Sequence, residues 1–259
     1  MMGHQSFTRS SAQSRLIRSF THEEFYTIGT RALIPIVFWN SEIYMADFLH
    51  LITATDLDGN IRTSWVIDVL GSGQDSLHAA ASEIYASNQG LKKVFVYNTS
   101  GTLQRSWLVA QSPMQVWVDS GEVFLASNND SIQVYSDTGV FQRSWSTGAG
   151  TVGVMVLNSE VYVMTTAGAE VYDGVGNLNR SFPVVSGSHL SNDGNDVLLS
   201  AGNSMMLFST AGSQIAETTL ASTLGVTFGD SLYFVTRGLS PNVNEYSIDP
   251  LHQVPVSAL

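Results

Sequence analysis

The chain has 259 residues, of which 44% are hydrophobic and 13% are charged, a composition typical of a folded globular protein and not of a disordered one. The absence of cysteine excludes disulfide bonds, thiolate metal sites and a cysteine nucleophile. A formal net charge of −11 argues against a nucleic-acid partner, because phosphate contacts need clustered basic side chains.

A short phrase, Arg-Ser followed by an aromatic residue, recurs along the chain at intervals of about 40 residues. Copies end at Phe20, Trp65, Trp107, Trp145 and Phe182, a degenerate copy ends at Leu220, and Leu259 falls where the next would end. A constant period of this length is the mark of a repeat protein. The spacing predicts six copies of one supersecondary unit.

Each unit contains four short segments in which apolar and polar residues alternate with a period of two, which predicts β-strands. In the third unit these segments are 114–118, 122–127, 132–135 and 140–145. Polar turns, most of them with glycine, separate the segments. Apolar residues do not recur at helical spacing over any long stretch, which excludes a helical repeat.

Four antiparallel strands per unit predict an all-β fold, a β-propeller with six four-stranded blades in a single domain, 1–259. We place the blades at about 28–65, 74–107, 113–145, 151–182, 187–220 and 224–259. Seven blades, one of them incomplete, are the alternative count.

The N-terminal residues 1–20 predict strands that close the ring. Residues 16–20, Leu-Ile-Arg-Ser-Phe, match residues 103–107 of the second unit, so we expect this segment to pair with the final blade and cover its free edge. Pro255 fits an outermost position in that blade, because proline is confined to sheet edges and bulges.

Residues 126–145, Ala-Ser-Asn-Asn-Asp-Ser-Ile-Gln-Val-Tyr-Ser-Asp-Thr-Gly-Val-Phe-Gln-Arg-Ser-Trp, resemble the NHL repeat. In that family a strand ending in an Asn/Asp turn precedes a Val-x-Val-aromatic strand and a glycine turn. The resemblance covers units two to four well and units one, five and six poorly. It implies a propeller, commonly six-bladed, that serves mostly as a binding platform, and it implies no particular ligand.

Residues 1–20 carry three arginines and no carboxylate, a charge of +3, whereas the remainder carries −14. We interpret the segment as a latch strand whose arginines are solvated. The alternative is a basic arm that contacts the acidic surface of a neighbouring copy.

Six-bladed propellers include metal-dependent lactonases and lyases, whose ligands ring the central channel. Aligning the innermost strands at one level gives Val37, His78, Trp117, Met155 and Val226, with Ser188, His189 or Leu190 from the fifth unit. Most of these side chains are apolar, and His78 and His189 have no evident third partner. The sequence therefore predicts no metal, no cofactor and no catalytic residue.

Polar residues at the channel mouth, Asn158, Asn192, Asp193 and Asp230, are the candidates for an enzyme site. We interpret the last three as turn residues between first and second strands, with Asn158 just ahead of its turn. Residues 56–60 resemble a calcium loop but lack its ligand spacing, so a hairpin turn is the expectation. Residues 98–100 and 129–131 match the N-glycosylation acceptor.

Two residue series share the period of the unit and therefore predict contacts between blades. The series Trp65, Trp107 and Trp145 is expected to pack between blades, with a sugar-stacking surface as the alternative. Arg105, Arg143 and Arg180 are expected to hydrogen-bond across the same gaps.

We therefore predict a non-catalytic binding or structural scaffold that contacts a protein or glycan partner, with no nucleic-acid partner and no membrane span. The only lysines are Lys92 and Lys93, and Ser, Gly, Thr and Asn are abundant. This composition favours a subunit of a larger extracellular-surface or virion-type assembly, although the N-terminus lacks the apolar core of a secretory signal. The alternative function is a metal-dependent propeller hydrolase or lyase with its site in the channel. RNA binding is a third option, disfavoured by the acidic balance.

Overall fold

The computed structural model describes residues 16–21, 36–46, 51–67, 75–184, 189–192, 194–201, 204–219, 223–228, 232–236 and 242–246. The regular structure of these residues is β-strand throughout. Within them no helix has the length and apolar content needed to cross a membrane.

The first half of the chain contributes thirteen strands. They are β1 (Leu16–Thr21), β2 (Ile36–Trp39), β3 (Glu42–Ala46), β4 (Leu51–Asp56), β5 (Ile61–Val66), β6 (Asp75–Ala80), β7 (Glu83–Asn88), β8 (Lys93–Asn98), β9 (Leu103–Leu108), β10 (Pro113–Asp119), β11 (Glu122–Ser127), β12 (Ser131–Ser136) and β13 (Phe141–Ser146).

The second half contributes eleven more. They are β14 (Gly153–Leu157), β15 (Glu160–Thr165), β16 (Gly168–Tyr172), β17 (Leu178–Phe182), β18 (His189–Asn192), β19 (Val197–Ala201), β20 (Ser204–Phe208), β21 (Gln214–Thr219), β22 (Thr223–Phe228), β23 (Leu232–Thr236) and β24 (Asn242–Tyr246). In the third unit each observed strand begins and ends within one residue of the predicted one.

Five antiparallel sheets are each built from four consecutive strands, β2–β5, β6–β9, β10–β13, β14–β17 and β18–β21. A further sheet has the order β1-β24-β23-β22, in which the N-terminal strand lies beside the C-terminal one. The first strands contact one another in cyclic order, β2, β6, β10, β14, β18, β22 and again β2. The protein is therefore a β-propeller with four-stranded antiparallel blades around a central channel.

The predicted count of six four-stranded blades, with seven as the alternative, needs correction. Five repeat units form complete blades by themselves, whereas the predicted unit 224–259 supplies only three described strands. Its fourth strand is β1, so the N-terminal segment is a blade strand and not an addition to a finished blade. No seventh sheet occurs in the described part of the chain. Pro255 and residues 1–15 lie outside the described residues.

The predicted latch is confirmed for residues 16–21, since β1 pairs antiparallel with β24 from Leu16 opposite Tyr246 to Thr21 opposite Asn242. Ring closure thus joins the two ends of the chain in one sheet. The sequence similarity between residues 16–20 and the outer strand β9 has this physical cause, because both occupy the outermost position of a blade.

Two-residue turns join the first and second strands of four blades. Both turn residues have positive φ angles in each case, the pattern of a type I′ hairpin turn, whose twist matches that of the strands. The pairs are Asn40–Ser41, Ala81–Ser82, Ser120–Gly121 and Asn158–Ser159. These turns share one face of the propeller, which we call the turn face.

The hydrophobic core lies in the gaps between neighbouring blades. In the gap between the blades β2–β5 and β6–β9, the fully buried Tyr44 and Ile52 pack with Ile84 and Phe95. Comparable clusters fill the next three gaps. Because each blade exposes two apolar faces, stacking in a ring is what buries them.

Candidate functional site

An arginine on the outer strand of the second blade ties that blade together and links it to the next. Both terminal nitrogens of Arg105 donate to the carboxylate of Glu83, at 2.5 and 2.7 Å, and Nη2 also donates to the Tyr85 hydroxyl at 2.9 Å. Arg105 Nε donates to the backbone carbonyl of Asp137, in the following blade, at 2.7 Å. The Arg105 guanidinium thus both stabilises its own blade and links that blade to the next.

The arrangement repeats in the next two blades. Arg143 Nε donates to the Gly174 carbonyl at 2.7 Å, and Arg180 Nη2 donates to the Thr210 carbonyl at 2.6 Å. Each arginine also pairs with a glutamate of its own blade, Glu122 and Glu160 respectively. The predicted inter-blade role of Arg105, Arg143 and Arg180 is confirmed.

The ion pairs explain the altered acidities in these gaps. Hydrogen bonds from the arginines hold the pKa of Glu83, Glu122 and Glu160 below the usual value. Burial, assisted by the adjacent Glu160, raises the pKa of Tyr162 to about 12. Perturbed acidity can mark an active site, but here it follows from repeated structural contacts.

The tryptophan series also packs between blades. Trp65, Trp107 and Trp145 each cover a turn glycine of the next blade so closely that a Cβ on that glycine would lie 2.6–2.7 Å from the indole. The glycines are Gly101, Gly139 and Gly176, and Phe182 covers Gly212 in the same way. The predicted packing role is confirmed.

Strand pairing places four of the predicted channel residues at one level. Val37, His78, Trp117 and Met155 each lie opposite the aromatic residue at the same position of the second strand. In the fifth blade this level is occupied by Ser191, opposite Leu198, and not by Ser188, His189 or Leu190.

In the last sheet, the residue predicted to lie at the channel level, Val226, is wrong by one position. Thr227 pairs with Tyr233 at the channel level, whereas Val226 pairs with Phe234. Phe228 pairs with Leu232, four positions further on, whereas Trp39 of the first blade pairs with Glu42, three positions further on, and this difference shifts the register by one residue. The sequence did contain a signal that places Ser191 at the channel level. His78 and its partner Tyr85 are seven residues apart, and the same spacing separates Ser191 from Leu198.

His78 is packed against the next blade. Its imidazole lies 4.2 Å from the Trp117 ring, centroid to centroid. Burial lowers its pKa to about 4, against a smaller opposing effect of a hydrogen bond to the Val118 backbone, so the ring is neutral at pH 7. His189 pairs with Ser200, two residues before the level of Ser191, so the two histidines belong to different levels.

Polar side chains of the innermost strands bond to the backbone of the adjacent blade. Ser76 Oγ accepts the Val116 N–H at 3.2 Å, and Gln115 Oε1 accepts the Val154 N–H at 3.0 Å. Gln115 Nε2 also donates to the Leu190 carbonyl at 3.4 Å, so this buried amide reaches two blades. Sequence reasoning missed both contacts, because they depend on how blades are offset from one another.

The remaining candidate residues occupy turns or strand ends. Asn158 lies within its turn, with φ of 52°, and not ahead of it as predicted. Asn192 ends β18, and its Oδ1 accepts the Gly194 N–H at 3.0 Å. Asp193 and Asp230 lie outside the described residues. Over the described ranges, no three metal-ligating side chains come together.

Two motifs that resembled binding signals stabilise hairpins. Asp56 Oδ1 accepts the N–H groups of Asp58 and Asn60 at 3.0 and 2.9 Å, which is a turn and confirms that expectation for residues 56–60. In the first glycosylation sequence, Asn98 Oδ1 accepts the Ser100 and Thr102 N–H groups. Both side chains replace backbone partners within their own turns.

A half-open cavity of about 450 Å³ lies on the turn face beside the channel. Its wall includes Trp39 from the first blade, His78 and Tyr85 from the second, and Asp119 and Asp137 from the third. It therefore spans three blades, and its carboxylates come from Glu83 of the second blade and from Asp119 and Asp137 of the third. Such a volume suits a small organic molecule.

No protein-family model matches the sequence, and no curated relative matches it. Many solved structures share the fold, among them the following three. A streptogramin B lyase is 12% identical with a TM-score of 0.70, over 93% of this chain and 100% of that one. BamB from Moraxella catarrhalis is 10% identical with a TM-score of 0.60, over 91% and 100%. The protein BBS1N, solved in complex with ARL6DN, is 11% identical with a TM-score of 0.59, over 79% and 74%.

At these identities the comparisons show the class of the protein, a β-propeller, and nothing finer. The similar structures range from a named lyase to a propeller solved in a protein complex. The NHL resemblance stays a resemblance, because the structural likeness applies to propellers in general.

Proposed function

We propose that the protein is a non-catalytic propeller scaffold that binds a protein partner through its outer rim. One observation carries this proposal. The large apolar side chains that are exposed in the described residues all lie on outer strands or on the turns leading into them. They are Ile61, Val66, Leu103, Leu108, Val140, Phe141, Val175, Leu178 and Ile215, and we call them the apolar rim.

The rim has a regular geometry. Ile61, Leu103, Phe141 and Leu178 each follow the turn glycine by two residues, so they occupy one register position in four consecutive blades. They are between 44% and 56% exposed. Isolated exposed apolar residues are normal on a protein surface, but an aligned series points to a covered surface.

The outer strands also have free backbone edges, since each ends its sheet. Natural edge strands are commonly protected by lysine or proline. The outer strands β5, β9, β13, β17 and β21 contain neither residue, and the arginines of β9, β13 and β17 are held in ion pairs with glutamates of their own blades. An apolar rim with accessible edges favours a protein partner over a glycan, and BBS1N offers a precedent for a propeller solved with a protein.

The rim can be tested against a matched surface on the same strands. The rim variant is Leu103→Ser with Phe141→Ser and Leu178→Ser, and the control variant is Gln104→Ser with Gln142→Ser and Asn179→Ser, since these neighbours are also exposed. A photo-crosslinking residue is introduced at position 141 or 142, where it takes the place of any serine at that position. The rim background with the probe at 141 then differs at positions 103 and 178, and the control background with the probe at 142 differs at positions 104 and 179. Adducts from native material are identified by mass spectrometry.

We expect one dominant protein adduct from position 141, lost in the rim variant and retained in the control variant. A second copy of the chain as the adduct would identify self-assembly, which the same proposal includes. Equal adducts from positions 141 and 142, or adducts that survive the rim variant, would contradict the proposal.

The competing function is a propeller lyase or hydrolase with a channel site. The structural likeness to a streptogramin B lyase and the cavity beside His78 favour it. Incubation with a streptogramin B, followed by mass spectrometry of the products, tests it directly. Turnover that is lost in His78→Ala would support the enzyme and contradict the scaffold. The surface or virion setting suggested by composition stays a prediction.

A further inference from the structure

The cavity on the turn face combines aromatic rings with three carboxylates, those of Glu83, Asp119 and Asp137, beside a single cation among the described residues, Arg105. Trp39 and Tyr85 contribute the rings. We infer that this cavity binds a small organic cation, an ammonium or guanidinium group carried on a short apolar body. This inference is independent of the rim and goes beyond the proposed function.

The charge of the cavity is the first observation that favours a cationic ligand. Glu83 also lines it, but Arg105 neutralises that carboxylate through a bidentate ion pair. Across the described residues, neither Asp119 nor Asp137 takes part in an ion pair. Asp137 accepts the Arg105 Nε–H through its backbone carbonyl, and the guanidinium also interacts electrostatically with Asp137, so this one cation offsets only one of the three carboxylates. Two formal negative charges therefore remain unbalanced at the cavity wall.

The aromatic wall is the second observation. A cation over the face of an indole or phenol ring is attracted by the ring quadrupole, most strongly by tryptophan. Trp39 is half-buried, so its position is fixed by packing while part of its ring faces the cavity. His78 contributes no opposing charge, because burial lowers its pKa to about 4.

Cavity size separates an organic cation from a metal ion. The volume of about 450 Å³ lies in the range of small-molecule sites. A metal ion needs several oxygen or nitrogen ligands converging on one point. The described residues bring no three such ligands together. The apolar wall, which includes Ala79 and Val118, suits the body of an organic ligand.

The test compares a cation with its neutral isostere. Binding of choline and of 3,3-dimethylbutan-1-ol to the full chain is measured by isothermal titration calorimetry and by saturation-transfer NMR. Nα-acetyl-lysine methylamide, whose side-chain ammonium is free, represents a cation presented by a peptide. The cavity variant is Asp119→Asn with Asp137→Asn. The control is Asp58→Asn, which removes a carboxylate from a turn of the first blade that does not line the cavity.

We expect choline or the lysine probe to bind at least tenfold more tightly than the neutral alcohol. The cavity variant should weaken that binding about tenfold or more, and the control should leave it unchanged within twofold. Tighter binding of choline identifies a free small organic cation as the ligand, and tighter binding of the lysine probe identifies a cationic side chain presented by a peptide.

Three results would overturn the inference. They are absence of binding by both cations up to about 10 mM, equal binding of the neutral alcohol, and saturable Ca²⁺ binding in place of the organic cations. Circular dichroism melting curves verify that the variants remain folded, and the rim experiment is unaffected by any of these results.

Discussion

The contact between Trp107 and Gly139 offers a sharp test of blade-to-blade packing. Gly139 has φ of +87°, and a Cβ on it would lie 2.7 Å from Trp107 ring atoms. Gly121 has a similar φ of +79°, but nothing lies within 4 Å of its Cβ position. Replacing each glycine by alanine therefore separates backbone strain from crowding of the indole.

We expect Gly121→Ala to lower the free energy of unfolding by about 1–2 kcal/mol, the cost of a left-handed conformation for an L-residue. Gly139→Ala carries the same cost plus overpacking of about 1–3 kcal/mol, because the ring must move by about 1 Å to restore ordinary contact distances. The total is about 2–5 kcal/mol.

Urea unfolding followed by far-ultraviolet circular dichroism measures the free energy of unfolding of both glycine variants. Repeating Gly139→Ala in a Trp107→Leu background completes a double-mutant cycle. In that background Gly139→Ala should cost only about 1–2 kcal/mol, since the crowded ring is gone. Equal costs for the two glycines, or an unchanged cost of Gly139→Ala without Trp107, would refute the packing role.

Two further predictions concern the ion pairs and the ring closure. Arg105 lowers the pKa of Glu83, so the pair stabilises above the unfolded value of about 4.3 and loses this effect as pH falls through the lower folded value. At pH 7 the free energy of unfolding of Glu83→Gln should be lower than that of the unaltered protein by about 1 kcal/mol, as for a partly exposed ion pair. This difference should shrink below about pH 4. A difference that stays constant from pH 7 to pH 3 would contradict the prediction. Deletion of residues 1–20 removes most of β1, so the melting temperature should fall while sedimentation velocity shows an unchanged assembly state. A changed assembly state would instead identify the segment as an inter-copy arm.

Local patterns were sufficient to predict the fold. Alternating apolar residues and glycine turns specify strands and hairpins within 40 residues, and the recurrence of Trp65, Trp107 and Trp145 reveals the unit. The composite sheet was harder, because pairing of β1 with β24 joins residues more than 200 positions apart. The similarity of residues 16–20 to other outer strands was the available signal.

The site was less predictable, because it depends on contacts between units. Arg105 and its equivalents were recognisable from their period, whereas the reach of Gln115 to Val154 and Leu190 depends on blade offset. Val226 was misplaced by one residue, because the register of β22 against β23 differs by one position from that of the other blades. The cavity draws on three blades, and no local pattern in the sequence joins Trp39 to Asp119.

Hydroxyl-radical footprinting tests the central claim, that a protein covers the apolar rim. The protein is labelled alone and within its native assembly, and oxidation of individual side chains is quantified by mass spectrometry. Covered rim positions, with Phe141 and Leu103 as the most informative, should be oxidised several-fold less in the assembly, while side chains on the turn face keep their labelling. Equal oxidation of Phe141 and Leu103 in the two states would contradict the account.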